Sequence, residues 1–122
     1  MQDPSNTPCV VLLTADLMLT SRVQNAARGV AVRPAGSLDA AAAAAAEGPA
    51  VAVVVDLLLP GIDPHAVRQA LASVVPEART IAVAPHVHAQ RLATAREAGF
   101  SEVMSRGQFD REVENVLAEA AD

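Results

Sequence analysis

The stretch Val51-Ala52-Val53-Val54-Val55-Asp56-Leu57-Leu58-Leu59-Pro60-Gly61-Ile62-Asp63-Pro64 decides the fold. Its first five residues are an unbroken apolar, largely β-branched run, as expected of a strand buried on both faces of a parallel sheet. Asp56 closes the run at its C-terminal end, the edge where open α/β sheets gather functional groups. Leu59-Pro60-Gly61 turns the chain. Asp63 is suited to cap a following helix, with Pro64 at its first position.

The same alternation extends to both sides. Cys9-Val10-Val11-Leu12-Leu13 reads as a first strand, followed by a helix over Leu17–Arg28 that Gly29 stops. Val30–Arg33 is a second strand. Ser37 caps a helix that runs through the alanines to Glu47, closed by Gly48; alanine favours helix over disorder there. After the third strand, 51–56, a helix runs from Asp63 to about Ser73. Thr80–Ala84 is a fourth strand, followed by a helix over Val87–Ala98 with Gly99 as its stop. Ser101–Met104 is a fifth strand, and Asp110–Ala120 a last helix. Five strand–helix units in strict alternation predict an α/β, flavodoxin-like three-layer sandwich. Its parallel sheet has the order 2-1-3-4-5, flanked by five helices. One domain spans 9–120, and residues 1–8, polar and Pro-containing, read as a flexible end.

Composition narrows the function. The chain has 122 residues, 52% hydrophobic and 2% aromatic, so Ala, Val, Leu and Ile must build the core. Net charge is −5 without a basic run, which argues against nucleic-acid binding. All nine basic residues are Arg. A single Cys9 rules out an internal disulfide and fits a reducing cytoplasm. No apolar run reaches roughly 18–20 residues, so no membrane span is expected. Met1-Gln2-Asp3-Pro4 does not resemble a signal peptide. No Gly-rich phosphate loop or nucleophile elbow is present, and the chain is not expected to be an enzyme.

Asp56, three apolar residues, Pro60, Gly61, Ile62 and Asp63 together resemble the phospho-acceptor segment of response-regulator receiver domains, the CheY-like superfamily. Pro64 stands where that family has Gly. The resemblance covers the chain from about Cys9 to Ala120. It implies Asp56 as the phospho-acceptor position, and a crevice shared with Asp16, Ala84, His86 and Arg106.

The remaining machinery departs from the family. Two adjacent acids that bind Mg²⁺ with the acceptor are replaced by Thr14-Ala15-Asp16; Asp16 reads equally as a helix cap. Ala84 stands where a Ser or Thr hydroxyl bonds the phosphoryl group. Val103 takes the aromatic switch position. Arg106-Gly107 replaces the phosphate-contacting Lys, and Arg is a wider, planar fork suited to carboxylates. The resemblance is therefore to an atypical, pseudo-receiver member.

The first functional reading is a stand-alone signalling module that works through protein contacts, independent of phosphorylation. It has no cofactor and no metal; Mg²⁺ enters only under the conventional reading. That conventional reading is a single-domain response regulator phosphorylated on Asp56 by a histidine kinase. A third is a small ligand-binding domain using the same crevice. Partners are proteins, a kinase or a downstream signalling protein, or a second copy through helix 4, strand 5 and helix 5. That face is read to carry Arg91, Arg96, Glu97, Glu102, Arg111, Glu112 and Glu114. His86 and His88 are an i, i+2 pair without a third ligand and read as solvated, as does His65. Cys9 reads as packing and Arg22 as a solvated or partner-facing residue. In the crevice, Arg106 is expected to supply the missing positive charge, its fork reaching Asp56; the alternative is an Arg pointing to solvent.

Overall fold

The computed structural model describes residues 7–121, so most of the predicted flexible end, residues 1–6, lies outside the described residues. Its elements are β1 (Cys9–Leu13), α1 (Leu17–Ala26), β2 (Ala31–Ala35), α2 (Leu38–Ala46), β3 (Ala50–Asp56), α3 (Pro64–Val74), β4 (Arg79–Ala84), α4 (Ala89–Ala98), β5 (Glu102–Ser105) and α5 (Arg106–Ala121). The five strands form one sheet in the order β2-β1-β3-β4-β5, and every pairing is parallel.

The unbroken apolar strands are explained by burial on both faces. Successive side chains along a strand point to opposite sides. Val11, Leu13, Val53, Val55, Ala82 and Ala84 face one side, where they meet Ala41 and Ala45 of α2, Val67 and Leu71 of α3, and Leu92 and Ala95 of α4. Val10, Leu12, Ala52, Val54, Ile81 and Val83 face the other, against Leu19 and Val23 of α1 and Phe109, Val113 and Leu117 of α5. The chain is thus a three-layer sandwich with two separate apolar cores. The alanine helix α2 sits on the sheet through Ala41 and Ala45, both fully buried, where small side chains allow close approach.

Helix ends follow local chemistry. Asp16, Ser37 and Asp63 cap α1, α2 and α3 through side-chain oxygens that accept backbone N–H groups. Gly99 caps α4 at φ 93°, a left-handed conformation that glycine adopts without steric penalty.

Four predicted bounds differ by two residues or more. β2 runs on through Pro34 to Ala35 rather than ending at Arg33, and α4 begins at Ala89 rather than Val87. α1 ends at Ala26 rather than Arg28: Ala27 is already extended, and Gly29 at φ 75° turns the following loop instead of ending the helix. α5 begins at Arg106, four residues before the predicted start, and follows β5 without a loop. Gly107 disguises this start because glycine is a poor helix former. The Ser105 hydroxyl accepts the Gln108 N–H at 3.1 Å and so supplies the capping interaction for the first turn.

Candidate functional site

The order β2-β1-β3 reverses direction at β1, so the C-terminal ends of β1 and β3 open a crevice at a topological switch point. A cavity of about 360 Å³ lies there. Its walls include Asp16, Leu19, Asp56, Leu58, Leu59, Pro60, Ala84, Pro85 and Arg106. Four of the sequence-derived crevice residues, Asp16, Asp56, Ala84 and Arg106, therefore converge. His86 does not: it is exposed in the β4–α4 loop, and Pro85 lines the cavity in its place. Val103 is half-buried on β5, packed against the core on the α4 side and outside the crevice.

Asp56 is 9% exposed at the end of β3. The register pairs Leu13 with Val55, which brings Thr14, the next residue on β1, beside Asp56. The buried Thr14 hydroxyl donates to Asp56 Oδ2 at 2.6 Å and accepts the Asp16 N–H at 3.0 Å. The other Asp56 oxygen, Oδ1, accepts the Leu58 N–H at 2.9 Å. The Leu57 N–H in turn donates to the Val83 carbonyl on β4 at 2.9 Å, and Arg91 on α4 donates to the Leu57 carbonyl at 3.0 Å. Both carboxylate oxygens and the loop behind them are thus held by named donors.

Asp16 is half-exposed, and its two oxygens are divided. Oδ1 accepts the Met18 and Leu19 N–H groups at 2.8 and 3.2 Å, while Oδ2 faces Arg106 Nη1 at 3.4 Å. The N–H groups at the start of α1, Leu19 foremost, hold the Asp16 carboxyl below the usual carboxylate range, with Arg106 adding to the effect.

Arg106 brings positive charge to the crevice, but its partners differ from the expected one. Its fork spans Asp16 and, through Nε at 3.2 Å, Asp110 one turn along α5. No Arg106–Asp56 hydrogen bond or ion pair forms among the described residues. The cause is the early start of α5, which places Arg106 on the first turn of a helix facing α1. For the same reason Arg111 and Glu114 turn toward α1, not toward the α4–β5 side. Glu114 lies 4.0 Å from Arg22, and Arg111 lines a groove with Leu17 and Met18. Arg22 also donates to the Asp110 carbonyl at 2.7 Å, tying α1 to α5.

The bond from Thr14 was absent from the sequence reading, although Thr14 itself stands at the expected acid-pair position. Strand register would have revealed it, because the residue after Leu13 must neighbour the residue after Val55.

No family model matches this sequence, and no curated protein matches it. Solved structures do. An uncharacterized protein from Neptuniibacter caesariensis superposes with a TM-score of 0.81 at 16% identity, over 95% of this chain and 88% of that one. The N-terminal signal receiver domain of a two-component system response regulator from Bacteroides fragilis gives 0.79 at 10% identity, over 96% and 98%. A CheY-like protein from Pseudomonas aeruginosa PAO1 gives 0.73 at 22% identity, over 93% and 98%. The fold is that of the CheY-like receiver domains.

Proposed function

We propose that this chain is a receiver-like signalling module that acts through protein contacts and does not run the Mg²⁺-dependent phosphoryl cycle. The observation that carries this reading is the Thr14–Asp56 hydrogen bond at 2.6 Å. At the end of β1, where a receiver presents metal-binding acids, this chain presents a hydroxyl whose one proton is committed to the acceptor carboxylate.

The other donors point the same way. Mg²⁺ requires about six oxygen ligands at short, near-octahedral geometry. Asp16 is occupied by two backbone N–H groups and Arg106, so the donor set fits that ion poorly. Ala84 offers a methyl group where a phosphoryl oxygen would need a hydroxyl, and Arg106 stands in the place of the phosphate-contacting lysine, a residue type the sequence lacks altogether. The module would be non-catalytic, and its output would be a change in what it binds. Among the described residues no helix is long and apolar enough to cross a membrane.

The test is titration with beryllofluoride and Mg²⁺, followed by amide NMR. The expected result is no Mg²⁺-dependent shift at Thr14, Asp56 or Ala84. Saturable shifts centred on Asp56 at millimolar ligand would instead establish the conventional reading, in which a histidine kinase phosphorylates Asp56.

A further inference from the structure

The peptide group that joins Leu57 to Leu58 is gripped at both ends. Its N–H donates to Asp56 Oδ1 at 2.9 Å, and its carbonyl accepts from Arg91 Nη1 at 3.0 Å. Partial double-bond character keeps the two ends in one plane, pointing opposite ways across the trans bond. A tilt at one end therefore tilts the other. Arg91, on the first turn of α4, reaches the carboxylate at the end of β3 through a single rigid plate.

Little else fixes that plate on the α4 side. Among the described residues no other donor reaches the Leu57 carbonyl, and Arg91 makes no ion pair. A cavity of about 120 Å³ separates loop from helix, with Leu57, Ile62 and Pro64 on one wall and Gln90, Arg91 and Thr94 on the other. The hydrogen bond thus spans a gap that apolar packing leaves open. On the sheet side the preceding peptide is anchored, because the Leu57 N–H donates to the Val83 carbonyl at 2.9 Å. The plate is held firmly at its entry and by one arginine at its far edge.

The two ends also carry opposite charge. A guanidinium on the carbonyl polarises the peptide and strengthens its N–H as a donor to the carboxylate. Arg106 makes no bond to Asp56, and Ala84 and Val103 offer only aliphatic groups between the crevice and α4.

We infer that Arg91 is a positioning residue for the crevice: through the Leu57–Leu58 peptide it orients the Asp56 carboxylate and couples it to the first turn of α4. The link works in both directions. A group that draws the guanidinium off the Leu57 carbonyl frees the plate, and with it the hold on Oδ1. A change at Asp56 alters how Arg91, an exposed residue, is presented on α4. The link does not depend on the protein-contact reading, which stands if the link fails.

The experiment compares amide NMR spectra of the intact protein, Arg91→Met, Thr14→Val and the double variant. Arg91→Met keeps an apolar stem and removes the charge and the donor. It is expected to shift the amides of Leu58 and Thr14 as well as its own neighbours. The control Arg96→Met, which removes another arginine of α4, should leave both amides unmoved. Thr14→Val releases Oδ2 and should shift residues 89–92 in the presence of Arg91. Those shifts should fall about threefold in the Arg91→Met background, the non-additivity of a coupled pair. Should Thr14→Val fail to fold, the response of Leu58 and Thr14 to Arg91→Met decides by itself. Leu58 and Thr14 amides that stay still in Arg91→Met, or move as much in Arg96→Met, would overturn the inference. So would a Thr14→Val footprint on α4 that is the same with and without Arg91, or absent in both.

Discussion

At the residue scale, Thr14 and Asp56 are the pair on which the crevice turns. Asp56 is nearly buried, and the Thr14 hydroxyl is one of its two donors. Replacing Thr14 with Val keeps the shape and removes the donor, leaving one carboxylate oxygen without its partner. Hydrogen bonds to charged groups contribute about 1.5–3 kcal/mol, so Thr14→Val is expected to lose that much in urea denaturation at pH 7. A loss below about 0.5 kcal/mol would show that water substitutes for the hydroxyl. Asp16 provides a second prediction, through pH. Its carboxyl is held below the ordinary value of 3.8, first by the Leu19 N–H and then by the Met18 N–H and Arg106. A lowered folded-state value means that the contribution is complete above the unfolded-state value. It fades as pH falls from there through the folded-state value. Denaturation series from pH 7 to pH 2 should therefore show part of the acid-side loss disappear in Asp16→Asn. Parallel curves for the two proteins would contradict this.

At the element scale, α2 tests how closely the layers fit. Its core face is Ala41 and Ala45, with no larger side chain at those positions to yield. Ala41→Leu adds three carbons where the residue is fully buried against the sheet. Overpacking of this kind costs about 1–3 kcal/mol, and thermal denaturation should show the loss. The same change at Ala43, on the other side of the helix, should be nearly silent. Helix rotation also decides which surface each charged residue serves. Arg106, Asp110 and Glu114 recur every four residues along α5 and meet α1 through Asp16 and Arg22. Glu102 is likewise engaged within the chain, by Arg79. The mixed-charge face read from the sequence for helix 4, strand 5 and helix 5 is therefore smaller than its residue roll implied.

At the scale of the whole molecule, Cys9 reports on the opening of the sheet. It lies fully buried on β1, the strand between β2 and β3, and burial pushes its thiol up despite the opposing influence of Arg33. Only the thiolate reacts with disulfide reagents, so the native state should be inert. Labelling of Cys9 at pH 8 is expected to proceed through global unfolding and to accelerate in urea with the slope of the equilibrium transition. Labelling within seconds in the absence of urea would mean that β1 opens locally.

The sequence by itself determined the five strand–helix units, the parallel order 2-1-3-4-5 and the meeting of Asp16 with Asp56 at one edge. Those follow from local signals: apolar β-branched runs, Asp and Ser caps, glycine stops, and the handedness of crossovers. The tertiary structure alone decided who touches whom in the crevice. That Thr14 rather than Arg106 holds Asp56 depends on the register of β1 against β3. That Arg106 turns to Asp16 and Asp110 depends on α5 starting immediately after the last residue of β5, a boundary hidden by Gly107. That His86 stays outside depends on the path of the β4–α4 loop. Register, helix rotation and loop path are each set by contacts between residues far apart in the chain, and no local pattern of residues encodes them.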